Sequence, residues 1–226
     1  MLLRHFSNTL RNAGSMRYLM RLVLCAIVLC AIVLSGCALG PNRAQTGTSR
    51  EQAAAERHRG APANALTLFE QAVAVMTGGD ATDAELRFKE FLLQYPEYPG
   101  AHVNLAIISA RAGDDEAAEG HIVDALIIDP EHAAALNQLG MLLRRQGKFI
   151  EAEAAYLKAV TASPDYGLAH YNLGVLNELY LQRLDAALQH FERYQEIEGE
   201  DKQVVKWIAD LRRRLDAQQR TAKVAE

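Results

Sequence analysis

The sequence predicts an all-α protein, an α-solenoid of about four stacked helical hairpins with a C-terminal capping helix. Three observations lead there. A pattern of small and large apolar residues returns every 34 residues, and a period of that length decides the architecture before any other signal. Within each period the apolar residues fall twice at helical spacing. Glycine separates the two helical stretches, and proline follows the second.

The pattern is clearest over residues 133–166. Counting Ala133 as position 1, Leu136, Leu139, Gly140 and Leu143 occupy positions 4, 7, 8 and 11. Gly147, Ala152, Tyr156, Ala159 and Pro164 follow at 15, 20, 24, 27 and 32. One period earlier the register gives His102, Leu105, Ala106, Gly113, Ala118, Ile122, Ala125 and Pro130. Another step back gives Leu68, Ala72, Val75, Gly79, Ala84, Phe88 and Pro96. Small residues let two helix backbones approach, while Phe88, Ile122 and Tyr156 fill the space between hairpins. One hairpin cannot bury its apolar face alone, and stacking several makes a continuous core. These residues resemble the tetratricopeptide (TPR) repeat family, whose small–large–small signature has the same spacings. The resemblance implies a right-handed solenoid with a concave groove that takes a protein or peptide partner.

At the start of the chain, residues 1–36 hold Arg4, Arg11, Arg17 and Arg21 and no acidic residue. The apolar run from Leu22 to Leu34 is 13 residues long, short of the roughly 20 that a membrane span needs. A basic flank, a short apolar stretch and small residues are marks of an export signal, and Met16 offers an alternative start for it. Leu34-Ser-Gly-Cys37 resembles the bacterial lipobox, which implies that Cys37 is lipidated and begins the mature chain. All three cysteines lie at or before Cys37, so the mature body forms no internal disulfide and holds no thiol nucleophile. Ala38 follows Cys37; in Gram-negative lipoproteins a residue other than aspartate there implies the outer membrane, with the body facing the periplasm.

The full chain carries 24 basic and 28 acidic residues, and removing the four signal arginines leaves 20 and 28, a net −8. An acidic body is a poor general binder of nucleic acid or anionic lipid. Membrane attachment is therefore expected through the lipid on Cys37. Residues 37–64 read as a lipidated N-terminus and tether, of which about 13 polar residues reach some 20 Å.

The repeats then span 65–98, 99–132, 133–166 and 167–201. The first is irregular, with Gln71 at position 7 and a Gly78-Gly79 turn, as terminal repeats often are. The fourth has a hairpin one residue longer: Gly140 to Ala152 is 12 positions, Gly174 to Ala187 is 13. Leu181 stands near the expected turn glycine there. Residues 202–226 form the cap and tail, with Val204, Ile208, Leu211 and Leu215 on one stripe and Arg212, Arg213 and Arg214 on the polar side. An amphipathic helix on a membrane surface is the rival reading of that stretch.

No catalytic spacing is present: no His-Glu-x-x-His, P-loop, Gly-x-Ser-x-Gly or Gly-x-Gly-x-x-Gly. No enzyme activity, cofactor or metal is expected. Thr77-Gly-Gly-Asp80 reads as a hairpin turn, and Asp114-Asp115-Glu116 as a helix start favoured by the helix dipole. His102 and His170 share position 4 and read as half-buried packing groups; His121, His132 and His190 show no ligand spacing with them. Asn104 and Asn172 sit where some TPR domains clamp a partner's C-terminal carboxylate. The basic residues such a clamp needs are replaced by Ala134, Gln138 and Leu168, so the clamp is not carried over.

What remains is the groove. By the resemblance it comprises Val103, Asn104, Ile107, Asn137, Met141, Arg144, Arg145, Tyr171, Asn172, Val175 and Glu178. Aromatic, Met and Arg side chains suit a protein or peptide partner. The expectation is a membrane-anchored scaffold lipoprotein of the bacterial envelope, serving pilus assembly first, or outer-membrane assembly or peptidoglycan-enzyme regulation. The alternative is an accessory subunit of glycan or polysaccharide synthesis or export, with Tyr171 and Phe69 as stacking aromatics. Self-association through the solenoid ends is a third reading.

Overall fold

The computed structural model describes residues 62–225, so the export signal, Cys37 and nearly all of the tether lie outside the described residues. Among the described residues the chain forms nine helices and no strand. They pair in chain order: α1 (Ala63–Thr77) with α2 (Ala81–Gln94), and α3 (Pro99–Ala112) with α4 (Asp115–Ile128). Next come α5 (Ala133–Arg145) with α6 (Phe149–Ala162), and α7 (Gly167–Leu179) with α8 (Leu184–Glu198). The last helix, α9 (Lys202–Ala225), stands alone in sequence. No helix of the described residues is long and apolar enough to cross a membrane.

Each boundary has a local cause. Gly113 and Gly147 leave the right-handed region at φ 82° and 77° in the turns after α3 and α5, a conformation that costs glycine little. In the fourth turn, which lacks glycine, Gln182 takes this role at φ 55°; the extra residue is accommodated at a non-glycine position. Asp80 and Asp114 cap α2 and α4, each accepting a backbone hydrogen bond at 2.9 Å, from Asp83 and Ala117. Pro96, Pro130 and Pro164 each stand two residues past the end of a second helix, where the helix cannot continue.

The first helices of successive hairpins touch one another, α3 against α5 and α5 against α7. Each second helix meets the first helix of the next hairpin. The first helices therefore form the inner layer and the second helices the outer one. Fully buried large residues from both layers form a series of apolar clusters along the hairpins: Phe69, Phe88 and Leu105, then Ile122, then Tyr156 with Leu173, and Phe191 at the end. Gly140 and Gly174 press their backbones against the rings of Tyr156 and Phe191, which is why position 8 is small.

α9 packs on α8 as each earlier first helix packs on the second helix before it. Its buried stripe is Val204, Ile208 and Leu211, with Leu215 partly covered. Arg212 reaches Glu192 of α8 at 2.6 Å and Arg214 reaches Glu178 of α7 at 2.9 Å. Two of the three arginines thus tie α9 to the solenoid, as a cap requires and a membrane-lying helix does not.

Candidate functional site

The groove residues expected from sequence separate into two groups. Val103, Asn104, Ile107, Asn137 and Asn172 are buried, at 0%, 0%, 5%, 1% and 7% exposure. Val103 and Ile107 pack with Ala134, Ala135 and Leu136 of α5. Asn172 Nδ2 donates to Asn137 Oδ1 at 2.9 Å, and Asn104 Nδ2 to the Gly100 carbonyl at 2.8 Å, while Asn104 Oδ1 is buried without a hydrogen-bond partner. These five are corrected from groove to packing residues: the next first helix covers Val103 and Ile107, Asn137 and Asn172 pair between α5 and α7, and Asn104 is buried against its own helix. Phe69 is corrected as well: it is fully buried, edge-on to Phe88 and Phe91 at 5.7 Å each.

The second group keeps accessible surface. Met141, Arg144, Tyr171, Val175 and Glu178 are half-buried and Arg145 is exposed. Two of them have structural partners. Arg145 holds Asp115 with two nitrogens, at 2.6 and 3.1 Å, and the Ala110 carbonyl at 3.2 Å, so it clips α5 to the preceding hairpin. Glu178 is the anchor for Arg214.

Sequence reasoning missed two members of this surface. Trp207 of α9 and Tyr194 of α8 are half-buried and join Tyr171, with ring centroids 6.0 and 5.3 Å away. The signal was the helical stripe beside Trp207, which marks a face but not the helix it meets. Burial first, then Asp201, pushes the Tyr171 phenol above its ordinary range, while Arg144 opposes the shift. The guanidinium of Arg144 therefore lies within electrostatic reach of the aromatic shelf. Met141, Arg144, Tyr171, Tyr194 and Trp207 are the residue types that dominate binding energy at interfaces.

The histidines also pair, although their spacing in the sequence does not mark them as partners. His170 and His190 approach at 3.2 Å between their Nδ1 atoms, and His170 Nε2 lies 3.1 Å from the Pro164 carbonyl. A carbonyl only accepts, so His170 carries its proton on Nε2 and its Nδ1 accepts from His190 Nδ1–H. Burial, then the neighbouring His170, pushes His190 down to about 4, and burial also lowers His170. Both are therefore neutral in the folded state at pH 7. Because the folded pKa of His190 lies below its unfolded value, the pair's contribution is present above about pH 6.5. It is lost as pH falls toward 4. After discounting for partial exposure, a loss of about 2 kcal/mol is expected. Urea midpoints at pH 7 and pH 5 should converge when wild type is compared with His190→Gln. Equal pH sensitivity in both proteins would refute the neutral pair.

The sequence pattern of the tetratricopeptide repeat matches residues 69–134, 121–167 and 137–201, together more than half of the chain. No curated protein matches it in sequence. Among solved structures it is similar to pilF of Pseudomonas aeruginosa, at 23% identity over 67% of this chain and 68% of that one, with a TM-score of 0.60. A thermophilic TPR protein from Thermus thermophilus is 22% identical over 68% of this chain and 84% of that one, with a TM-score of 0.57. MamA from Desulfovibrio magneticus is 18% identical over 72% and 91%, with a TM-score of 0.53. At these identities the likeness is one of fold. The repeats themselves are decisive: the chain belongs to the tetratricopeptide repeat family, whose stacked hairpins are scaffolds for protein–protein interaction.

Proposed function

We propose that this protein is a lipid-anchored TPR scaffold of the bacterial cell envelope. Cys37 carries the lipid, the outer membrane holds it, and the solenoid faces the periplasm and binds a protein or peptide partner. Two features support the reading: the lipobox-like Leu34-Ser-Gly-Cys37 after a short apolar run, and the shelf of Arg144, Tyr171, Tyr194 and Trp207 on the later repeats. The shelf carries the binding proposal. The lipid restricts the partner to the membrane surface and raises its local concentration. Pilus assembly is the first pathway to test, ahead of outer-membrane assembly and peptidoglycan-enzyme regulation.

The test has two arms. In a Gram-negative host the wild-type chain should incorporate an acyl label and sediment with outer membrane, while Cys37→Ser stays unlabelled. A wild type without label sinks the anchor. A photo-crosslinker at Met141 should then capture a partner that one at Ile150, exposed on α6, does not. Arg144→Ala with Tyr171→Ala should weaken that partner by about tenfold or more. Unchanged capture moves the site elsewhere.

A second reading rests on the shelf itself. Three adjacent aromatic rings are also a platform for a sugar, which keeps an accessory role in glycan synthesis or export in view. Binding of peptidoglycan or polysaccharide fragments, lost in Tyr171→Ala, would favour it over the protein partner.

A further inference from the structure

Repeats two and four place histidines at matching positions of their hairpins, His102 with His121 and His170 with His190. The two pairs end differently. In repeat four the rings are closed by the Nδ1–Nδ1 hydrogen bond and by the Pro164 carbonyl. The nearby Asp165 is engaged by Arg193 at 2.5 Å. In repeat two the ring centroids stand 6.2 Å apart, and Nδ1 of each histidine is buried without a hydrogen-bond partner. A carboxylate is added there: Asp124 lies three residues after His121, on the same face of α4. Its Oδ2 is 3.6 Å from His102 Nδ1, too far for a hydrogen bond.

Buried polar atoms without partners are costly and ask for an explanation. A cation supplies one. Ligand atoms of His102, His121 and Asp124 all lie within 4.8 Å of one another. Ligands around a tetrahedral zinc ion stand about 3.4 Å apart, given bonds near 2.0–2.1 Å. The remaining gap is up to about 1.4 Å, and Asp124, half exposed, is the ligand best placed to turn and close it. The geometry points to a binding site for a divalent transition-metal ion, zinc foremost, formed by His102 and His121 with Asp124. Two imidazoles and one carboxylate select zinc, copper, nickel or iron over magnesium and calcium. Three protein ligands leave a fourth position, on the solvent side at Asp124, for water or for a donor from a partner.

The surroundings agree. Burial lowers the pKa of both histidines, against the opposing pull of Asp124, so their lone pairs are available at neutral pH. Lys89 and Glu85 of α2 also act on His121, with opposite signs, and they neutralise each other in an ion pair of 2.6 Å. Repeats one and three carry Leu68 with Arg87, and Leu136 with Ala155, at the corresponding positions. The feature is thus particular to repeat two, not a property of the repeat.

The test uses the protein purified in detergent, with any free thiol alkylated, so that thiolates cannot answer for the site. Cobalt(II) is titrated while its visible absorption is followed, and zinc is then added to displace it. One equivalent per chain with tetrahedral-type absorption, and a rise in thermal midpoint on adding zinc, are expected. His121→Gln and Asp124→Asn should each weaken binding by about tenfold to a hundredfold, since losing even an outer-shell partner has effects of that size. His190→Gln should bind as wild type does. Asp124 is half exposed, so Asp124→Asn should keep the helical spectrum, and a loss of binding beside an unchanged spectrum is not unfolding. No saturable cobalt signal in wild type, or wild-type affinity in Asp124→Asn and His121→Gln, overturns the site.

Discussion

Phe191→Ala is expected to cost about 3–5 kcal/mol, the usual range for truncating a buried phenylalanine. The ring has no solvent exposure and joins three helices at once. It lies against the backbone of Gly174 in α7, 6.1 Å from the Tyr171 ring and 5.4 Å from the Trp207 ring of α9. Its loss opens a cavity where α7, α8 and α9 meet, at an end with fewer neighbours to collapse into it. Solenoid stability is a sum of repeats and interfaces, so the damage should be local before it is global. The chain's one tryptophan is Trp207, and its fluorescence reads that end directly. In urea the Trp207 transition should come earlier than the loss of helical signal in the variant. A cost below about 1 kcal/mol, or an unmoved tryptophan transition, would show that Phe191 is not the keystone of the cap.

Gly140→Ala should destabilise by about 2 kcal/mol, while Gly120→Ala should stabilise by about 0.5–1 kcal/mol. Both glycines sit inside helices, where alanine is intrinsically the better residue. Surroundings decide the sign. A Cβ at Gly140 would lie 2.5 Å from the ring of Tyr156, which is fully buried and has nowhere to retreat. At Gly120, on the exposed side of α4, a Cβ meets nothing within 4 Å. Chemical denaturation of the two variants beside the parent gives the comparison. Adding Tyr156→Leu to Gly140→Ala should recover part of the loss, because the two changes act on one contact. A neutral or stabilising Gly140→Ala would mean that α5 and α6 can separate without penalty.

Much of the architecture was legible in sequence because the determinants are local. Glycines that need positive φ, acidic caps and prolines past helix ends are read within a few residues, and the repeat carries them forward. Even the missing glycine of the fourth turn was visible, although the choice of Gln182 as its replacement was not. The surface was harder to read. Periodicity says that Val103 and Ile107 share a helix face with Met141-type positions, but not that α5 overlies them. Whether a groove position is open depends on the crossing of consecutive first helices, a distance relation that no single helix encodes. The same limit hid Trp207 and Tyr194, which reach the shelf only because α9 takes a particular seat. It also hid the histidine pairs, whose members lie about twenty residues apart along the chain and meet across a hairpin.

The seat taken by α9 also bears on how copies of this protein can meet. A solenoid grows when its last second helix accepts another first helix, and an unfinished end invites a neighbouring molecule to supply it. Repeated head-to-tail, that contact is heterologous and propagates into a fibre. Here α9 already occupies the place and is fastened through Arg212 and Arg214. A second molecule would have to evict it and uncover Val204, Ile208 and Leu211. Propagation through this end therefore requires α9 to leave its seat first, and its ion pairs and buried stripe oppose that step.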